Sequence, residues 1–166
     1  MLLFRNHHDG TFEDVSQALA AMPPQSRRGA AFGDINNDGN VDIVVLNVGE
    51  PPSLLLNHNE SANHRVLFKL VGTKSNKAAM GARIPVKAGP LVQFSELRGA
   101  SSYLSQNDLR LHFGLCGNSK MNEVSILSLR GGFSFKSTPL FFGTVLFGAV
   151  HQNEHSGWEV ASPLLT

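Results

Sequence analysis

AAFGDINNDGNVDIVVLN, residues Ala30 to Asn47, carries the reading of this chain. Three of the six aspartates fall between Asp34 and Asp42, although the net charge is only +1. Counted from Asp34, carboxylates stand at positions one, five and nine (Asp34, Asp38, Asp42), with an amide oxygen at position three (Asn36). Gly39 takes position six, where a tight turn needs positive φ. Asn40 at position seven can offer its backbone carbonyl. Hard oxygens from alternate residues of one turn suit a hard cation, and calcium takes more protein oxygens than magnesium does. Asp34, Asn36, Asp38, Asn40 and Asp42 are therefore the candidate metal ligands, with Ca2+ the expected cofactor. The asparagine at position three removes one charge and predicts modest affinity. An EF-hand is excluded, because position twelve is Val45 and the flank VDIVVLNV reads as a strand. The alternative is a metal-free Asx-rich turn, since Asp, Asn and Gly favour turns in any case.

Outward from this loop the pattern stays β. Strands are predicted over Arg65–Gly72, Ala82–Gly89, Val92–Gly99, Leu109–Leu115 and Glu123–Leu129. In the fourth, Leu109, Leu111, Phe113 and Leu115 alternate with Arg110 and His112. The one helix candidate is Glu13–Met22, ended by Pro23 and Pro24, and a loop with a single helical turn fits it equally. The chain reads as all-β. Polar NHNESANH (Asn57–His64) is a linker candidate, and after Gly131 the composition turns Phe- and Leu-rich and nearly uncharged. The apolar run, Asn and polar turn of Leu2–Ser16 recur over Ser53–Ser61. That is a period of about 50 residues, within the range of propeller blades.

Several functional classes find no support. A charge of +1 gives no reason to expect nucleic acid. MLLFRNHHDG is too short in apolar residues for a signal peptide, and Pro139–Val150 is about half the length of a membrane span. Cys116 is the only cysteine, so no internal disulfide framework exists. His7, His8, His58, His64, His112, His151 and His155 show no zinc spacing, and no nucleophile elbow, P-loop or dinucleotide fingerprint occurs. The chain is expected not to be an enzyme. One loop concentrates polar groups: Glu96, Arg98, Ser101, Ser102, Tyr103, Gln106 and Asp108. It could bind a sugar or peptide, or be held by its own side-chain to backbone bonds.

Ala30–Asn47 resembles the FG-GAP or VCBS repeat of integrin-like β-propellers, and Arg5–Ser16 resembles the end of a preceding repeat. VGTKSNKAAMGARIPVKAG with ELRGASSYLSQNDLRLHFGL, between Val71 and Leu115, closely resembles the ASPIC/UnbV module. The resemblance implies a partial β-propeller-type repeat over residues 1–60, then a small β-rich, sandwich- or barrel-like module over 61–130. It further implies calcium in the loop, a place outside the cytoplasm, extracellular or periplasmic, and a protein or glycan partner there. The implied function is binding or adhesion; the alternative is a carbohydrate-binding module attached to a secreted enzyme. Two departures stand out. A propeller needs several blades, and SLRGG replaces the expected Trp-Pro-Ser-Gly-like turn. Ser128–Gly131 can be encoded so that a one-base shift reads Pro-Ser-Gly. Residues 131–166 are therefore expected to be an atypical tail, frameshifted or disordered, and a chain without a functional product is a third reading.

Overall fold

The computed structural model describes residues 1–7, 9–19, 22–72, 76–128, 131–139 and 145–150. Its regular elements are strands and one short 3-10 turn, with no α-helix among the described residues. The N-terminal part holds a hairpin, β1 (Phe4–Asn6) with β2 (Phe12–Asp14), and an antiparallel meander of β3 (Arg27–Gly33), β4 (Asp42–Asn47) and β5 (Ser53–Leu55). The register pairs Gly33 with Asp42, so the acidic loop is the connection between two antiparallel strands.

Of the two readings of Glu13–Met22, helix or loop with a single helical turn, the structure takes the second: the end of β2 leads into a 3-10 turn at Ser16–Leu19. Asp14 and Ser16 explain the outcome. Asp14 Oδ1 accepts the Ser16 N–H at 2.8 Å, and Ser16 Oγ accepts the Leu3 N–H at 2.9 Å. These local bonds compete with helix continuation, and the two prolines leave no room to resume it.

The second part is built from β6 (His64–Gly72), β7 (Arg83–Ala88), β8 (Leu91–Glu96), β9 (Leu111–Cys116), β10 (Lys120–Ser128), β11 (Gly131–Pro139) and β12 (Val145–Val150). One sheet has the order β11-β10-β7-β8, the other β12-β6-β9. All pairings are antiparallel except β12 with β6. Thus two stretches of the expected tail pair as strands; residues 151–166, including His151 and His155, lie outside the described residues, as does His8. The strand predicted from Leu109 begins at Leu111. Asp108 Oδ1 accepts the Arg110 N–H at 3.0 Å and holds that segment as a turn, leaving Leu109 at the surface.

Strand alternation sorts the side chains of this part into two faces. Val66, Phe68 and Leu70 of β6 and Leu111, Phe113 and Leu115 of β9 point inward. They meet Ile84, Val86 and Ala88 of β7 and Met121, Val124 and Ile126 of β10 in one continuous core. Phe68 and Phe113 contact edge to face, with ring centroids 5.6 Å apart. The β3–β5 meander has no comparable core. Val45 is its one fully buried apolar residue, while Leu46 and Leu54 stay exposed. Its most buried side chains are otherwise polar: Asp34, Asn40 and Asp42.

The meander docks on the second part through backbone and polar groups. The chain from Ser105 to Asp108 runs beside β3. Ser105 Oγ donates to Ala30 O at 2.7 Å, the Asp108 N–H donates to Phe32 O at 2.8 Å, and the Phe32 N–H donates to Asn107 Oδ1 at 3.1 Å. A segment of the module thereby satisfies the open edge of β3, which would otherwise be a free pairing edge.

Candidate functional site

The acidic loop folds around its own backbone N–H groups. Asp38 Oδ1 accepts the Asn40 N–H at 2.7 Å and its Oδ2 accepts Asn36 Nδ2 at 2.8 Å. These bonds, the Asn40 N–H first, hold the Asp38 carboxyl below its ordinary value of 3.8. Asn36 Oδ1 in turn accepts the Asp38 N–H at 3.2 Å. Asn37 and Gly39 both have positive φ, 59° and 84°, as the glycine at position six predicts.

Asp34 and Asp42 are buried, at 5% and 0% exposure, and they do different things. Asp42 is a staple: its Oδ2 accepts the Ile35 N–H and its Oδ1 accepts the Asn57 N–H, both at 2.9 Å. It thereby ties the start of the loop to the segment after β5, and both its oxygens are engaged. Asp34 is half satisfied. Its Oδ2 accepts the Gly39 N–H at 3.0 Å, while its buried Oδ1 has no hydrogen-bond partner. A buried, unpaired carboxylate oxygen is costly and calls for a cation or donor. Asp34, Asn36 and Asp38 with the Asn40 carbonyl could hold a cation; Asp38 also has both oxygens hydrogen-bonded, but from within the loop, whereas Asp42, the fifth candidate, is bonded in part from Asn57 outside it and braces the turn. Among the described residues no three acidic, histidine or cysteine side chains converge as a metal cluster. The residues fit a hard cation at Asp34, with amide and carbonyl oxygens making up the set.

Three residues absent from the expected site cover the other side of the loop. Arg65 of β6 donates from Nη1 to Asn40 Oδ1 at 2.8 Å and from Nη2 to Asp38 O at 2.7 Å. Arg110 donates from Nη2 to Asp34 O, from Nη1 to Asn37 Oδ1 at 2.8 Å, and from Nε to Asp108 Oδ2 at 2.5 Å. His112 Nε2 donates to Gly39 O at 2.6 Å. Leu67 and His112 are cross-strand partners, as are Arg65 and Gly114, so Arg65, Leu67 and His112 share the face opposite the core. The sequence signal was the alternation itself: His112 stands on the polar face of its strand, and that face meets the loop rather than solvent.

The expected polar-loop residues separate into two groups. Glu96, Arg98, Ser101 and Asp108 line a cleft of about 430 Å³ at the boundary of meander and module, which Phe32 and Phe94 also line. Glu96 lies 3.4 Å from both Arg83 Nε and Arg98 Nη2. Ser102, Tyr103 and Gln106 are not brought to it. Gln106 closes its own loop, accepting the Ala100 N–H at 2.9 Å and donating to Asn107 O at 3.0 Å. Ser102 bridges to Ser105, and the Tyr103 ring is exposed.

An acidic, Asx-rich turn on a β-meander, docked on a two-sheet β module, defines a repeat-plus-module architecture. Family models match a segment of each part: residues 1–45 match the FG-GAP-like repeat, and residues 72–127 match ASPIC and UnbV. The chain thus carries an FG-GAP-like repeat segment, of propeller type, joined to an ASPIC/UnbV module. Among curated proteins it is similar to cartilage acidic protein 1. The Xenopus tropicalis protein is 40% identical over 73 residues, 43% of this chain and 11% of that protein. The Homo sapiens protein is 46% identical over 55 residues, 32% and 8% respectively, and the Mus musculus protein 41% over 68 residues, 40% and 10%. The chain therefore spans about a tenth of the length of these relatives. No helix among the described residues is long and apolar enough to cross a membrane.

Proposed function

We propose that this chain is a calcium-braced, non-catalytic binding segment of an extracellular or periplasmic adhesion-type protein. The single observation that carries the calcium reading is the buried Asp34 Oδ1, which lacks any protein donor in a loop otherwise closed by hydrogen bonds. Calcium bound there would supply the missing charge and hold the β3–β4 turn, a structural role. The architecture shared with the repeat and module families supports a place outside the cytoplasm and a protein or glycan partner there. Affinity in the range of extracellular modules, roughly 10⁻⁴ to 10⁻³ M, suits a site with two ligand carboxylates. The test is a thermal melt with chelator and with saturating calcium, beside a direct calcium titration. At about one hundred times Kd, ligand linkage adds ~2.7 kcal/mol, or roughly 5–10 °C for a chain of this size. An unchanged melting temperature at about 10 mM calcium, well above that affinity range, would overturn the reading.

The cleft favours a second reading, a carbohydrate-binding module attached to a secreted enzyme. Two exposed aromatic rings, Phe32 and Phe94, stand beside Glu96, Arg98 and the Ser101 hydroxyl. An apolar ring face with a few polar groups is the usual composition of a small-molecule site. A glycan array read in the presence of chelator separates the readings: specific sugar capture that survives chelation, and is lost in Phe94→Ala, selects the second.

A further inference from the structure

The oxygens of the acidic loop divide into two sets that do not overlap. The module takes the carbonyls of Asp34, Asp38 and Gly39 and the side-chain oxygens of Asn37 and Asn40. It leaves untouched the Asp34 carboxylate, the Asn36 amide and the Asp38 carboxylate, whose bonds come from inside the loop. The contacts from the module therefore fall on the loop without competing for the oxygens a cation would use.

Arg65 has a particular place in this division. Its two terminal nitrogens grip Asp38 O and Asn40 Oδ1, so one planar guanidinium spans the three-residue turn at Gly39. That turn carries loop positions five and seven, the Asp38 carboxylate and the Asn40 carbonyl. Gly39 is packed so closely under the guanidinium that an added Cβ would lie 2.4 Å from Arg65 Nε. A rigid two-point fork restricts a short, glycine-containing turn far more than a point charge would. From this geometry we infer that Arg65, in the module, is a positioning residue for the calcium site in the repeat. It presets the Asp38–Asn40 turn in its binding form and so removes an ordering cost that the cation would otherwise meet. The inference rests on the calcium reading of the loop given above.

The sign of the effect separates this role from the obvious electrostatic one. A guanidinium close to a divalent cation repels it, so an electrostatic role predicts tighter calcium binding once the charge is removed. A positioning role predicts weaker binding. The experiment is calcium titration by calorimetry on the full chain, its Arg65→Met variant and its Arg65→Lys variant, each with a melt in chelator. We expect Arg65→Met to weaken calcium by roughly 10–100-fold, as loss of a residue behind a metal ligand does. Arg65→Lys keeps the charge without the fork, and weakens calcium in the same direction. Unchanged or tighter affinity in Arg65→Met overturns the inference while leaving the calcium site intact. A lower melting temperature in chelator with unchanged affinity also overturns it, because that is a purely structural role. Absence of calcium binding by the unmodified chain overturns both readings together. Arg65 points away from the core, so both variants are expected to fold; if Arg65→Met does not, the lysine variant carries the test.

Discussion

Replacing Gly39 with alanine tests the junction between loop and module without reference to any metal. Gly39 has φ of +84°, and its Cα lies against the Arg65 side chain. Two costs follow. A Cβ in the left-handed region costs roughly 1–2 kcal/mol. The Cβ also meets Arg65 Nε at 2.4 Å and Cδ and Cζ at 3.2 Å, so the guanidinium must withdraw from Asp38 O and Asn40 Oδ1. Losing those two bonds costs about 1 kcal/mol each. The sum is roughly 3–4 kcal/mol, or about 6–16 °C in Tm for a chain of this size. Gly49→Ala is the matched control: its φ is +74°, yet no atom stands within 4 Å of its added Cβ. That variant meets only the conformational cost, roughly 1–2 kcal/mol. The assay is thermal unfolding by circular dichroism in chelator, repeated for both substitutions in an Arg65→Ala background. The excess of Gly39→Ala over Gly49→Ala is expected to vanish in that background, as coupled neighbours require. Equal shifts for the two glycines in the unmodified chain would refute the packing of Arg65 on the turn.

Two further outcomes follow from the same loop. Asp42→Ala leaves the Ile35 and Asn57 N–H groups without their acceptors; at about 1 kcal/mol for each lost bond, the urea midpoint in chelator should fall, and Asp42→Asn, which keeps one acceptor, should lose less. Equal midpoints for the three chains would show that the staple contributes nothing. Asp38, Asp9 and Asp14 all have carboxyls held below 3.8, by the Asn40 N–H, the Thr11 hydroxyl and the Ser16 hydroxyl respectively. A depressed folded value means stability that is present above the unfolded value and lost as pH falls through the folded one. Acid titration followed by circular dichroism should therefore show Tm falling below the ordinary aspartate range, and Asp38→Asn should flatten part of that fall; an identical pH profile for the variant would contradict it.

The legible part of the fold was the part encoded locally. Alternating Leu111, Phe113 and Leu115 announced an inward face, and Asp-Asn-Gly spacing announced a turn with positive φ at Gly39. Both signals depend on neighbours within a few residues, where strand and turn geometry is set. Contacts between distant segments were not legible. Nothing near Arg65 in the chain marks it as a partner of Asp38, 27 residues away, or Arg110 as a partner of Asp34, 76 residues away. For the same reason the polar loop after Glu96 was read as one candidate surface. In space Ser105, Asn107 and Asp108 hold the edge of β3, and Gln106 holds its own loop. Polar composition reveals that such groups need partners, but not whether those partners are a ligand or another strand.

The distribution of burial explains why the loop matters so much to this chain. The module has a core drawn from β6, β7, β9 and β10, whereas the meander buries Val45 and little else that is apolar. A three-stranded meander with one buried valine cannot offset the chain entropy of ordering it by hydrophobic burial alone. What holds it is polar and directional: the Ser105–Asp108 segment on β3, the Asp42 staple, and the Arg65, Arg110 and His112 contacts on the loop. The Arg65, Arg110 and His112 contacts converge on the turn between Asp34 and Asp42, while the Ser105–Asp108 segment holds β3 at Ala30 and Phe32, so the order of that turn contributes directly to the attachment of the repeat to the module. The unpaired Asp34 Oδ1 lies within the same turn. Any cation satisfying it would therefore act on the weakest-cored part of the molecule, and its influence would pass to the module through the arginines that already grip the loop.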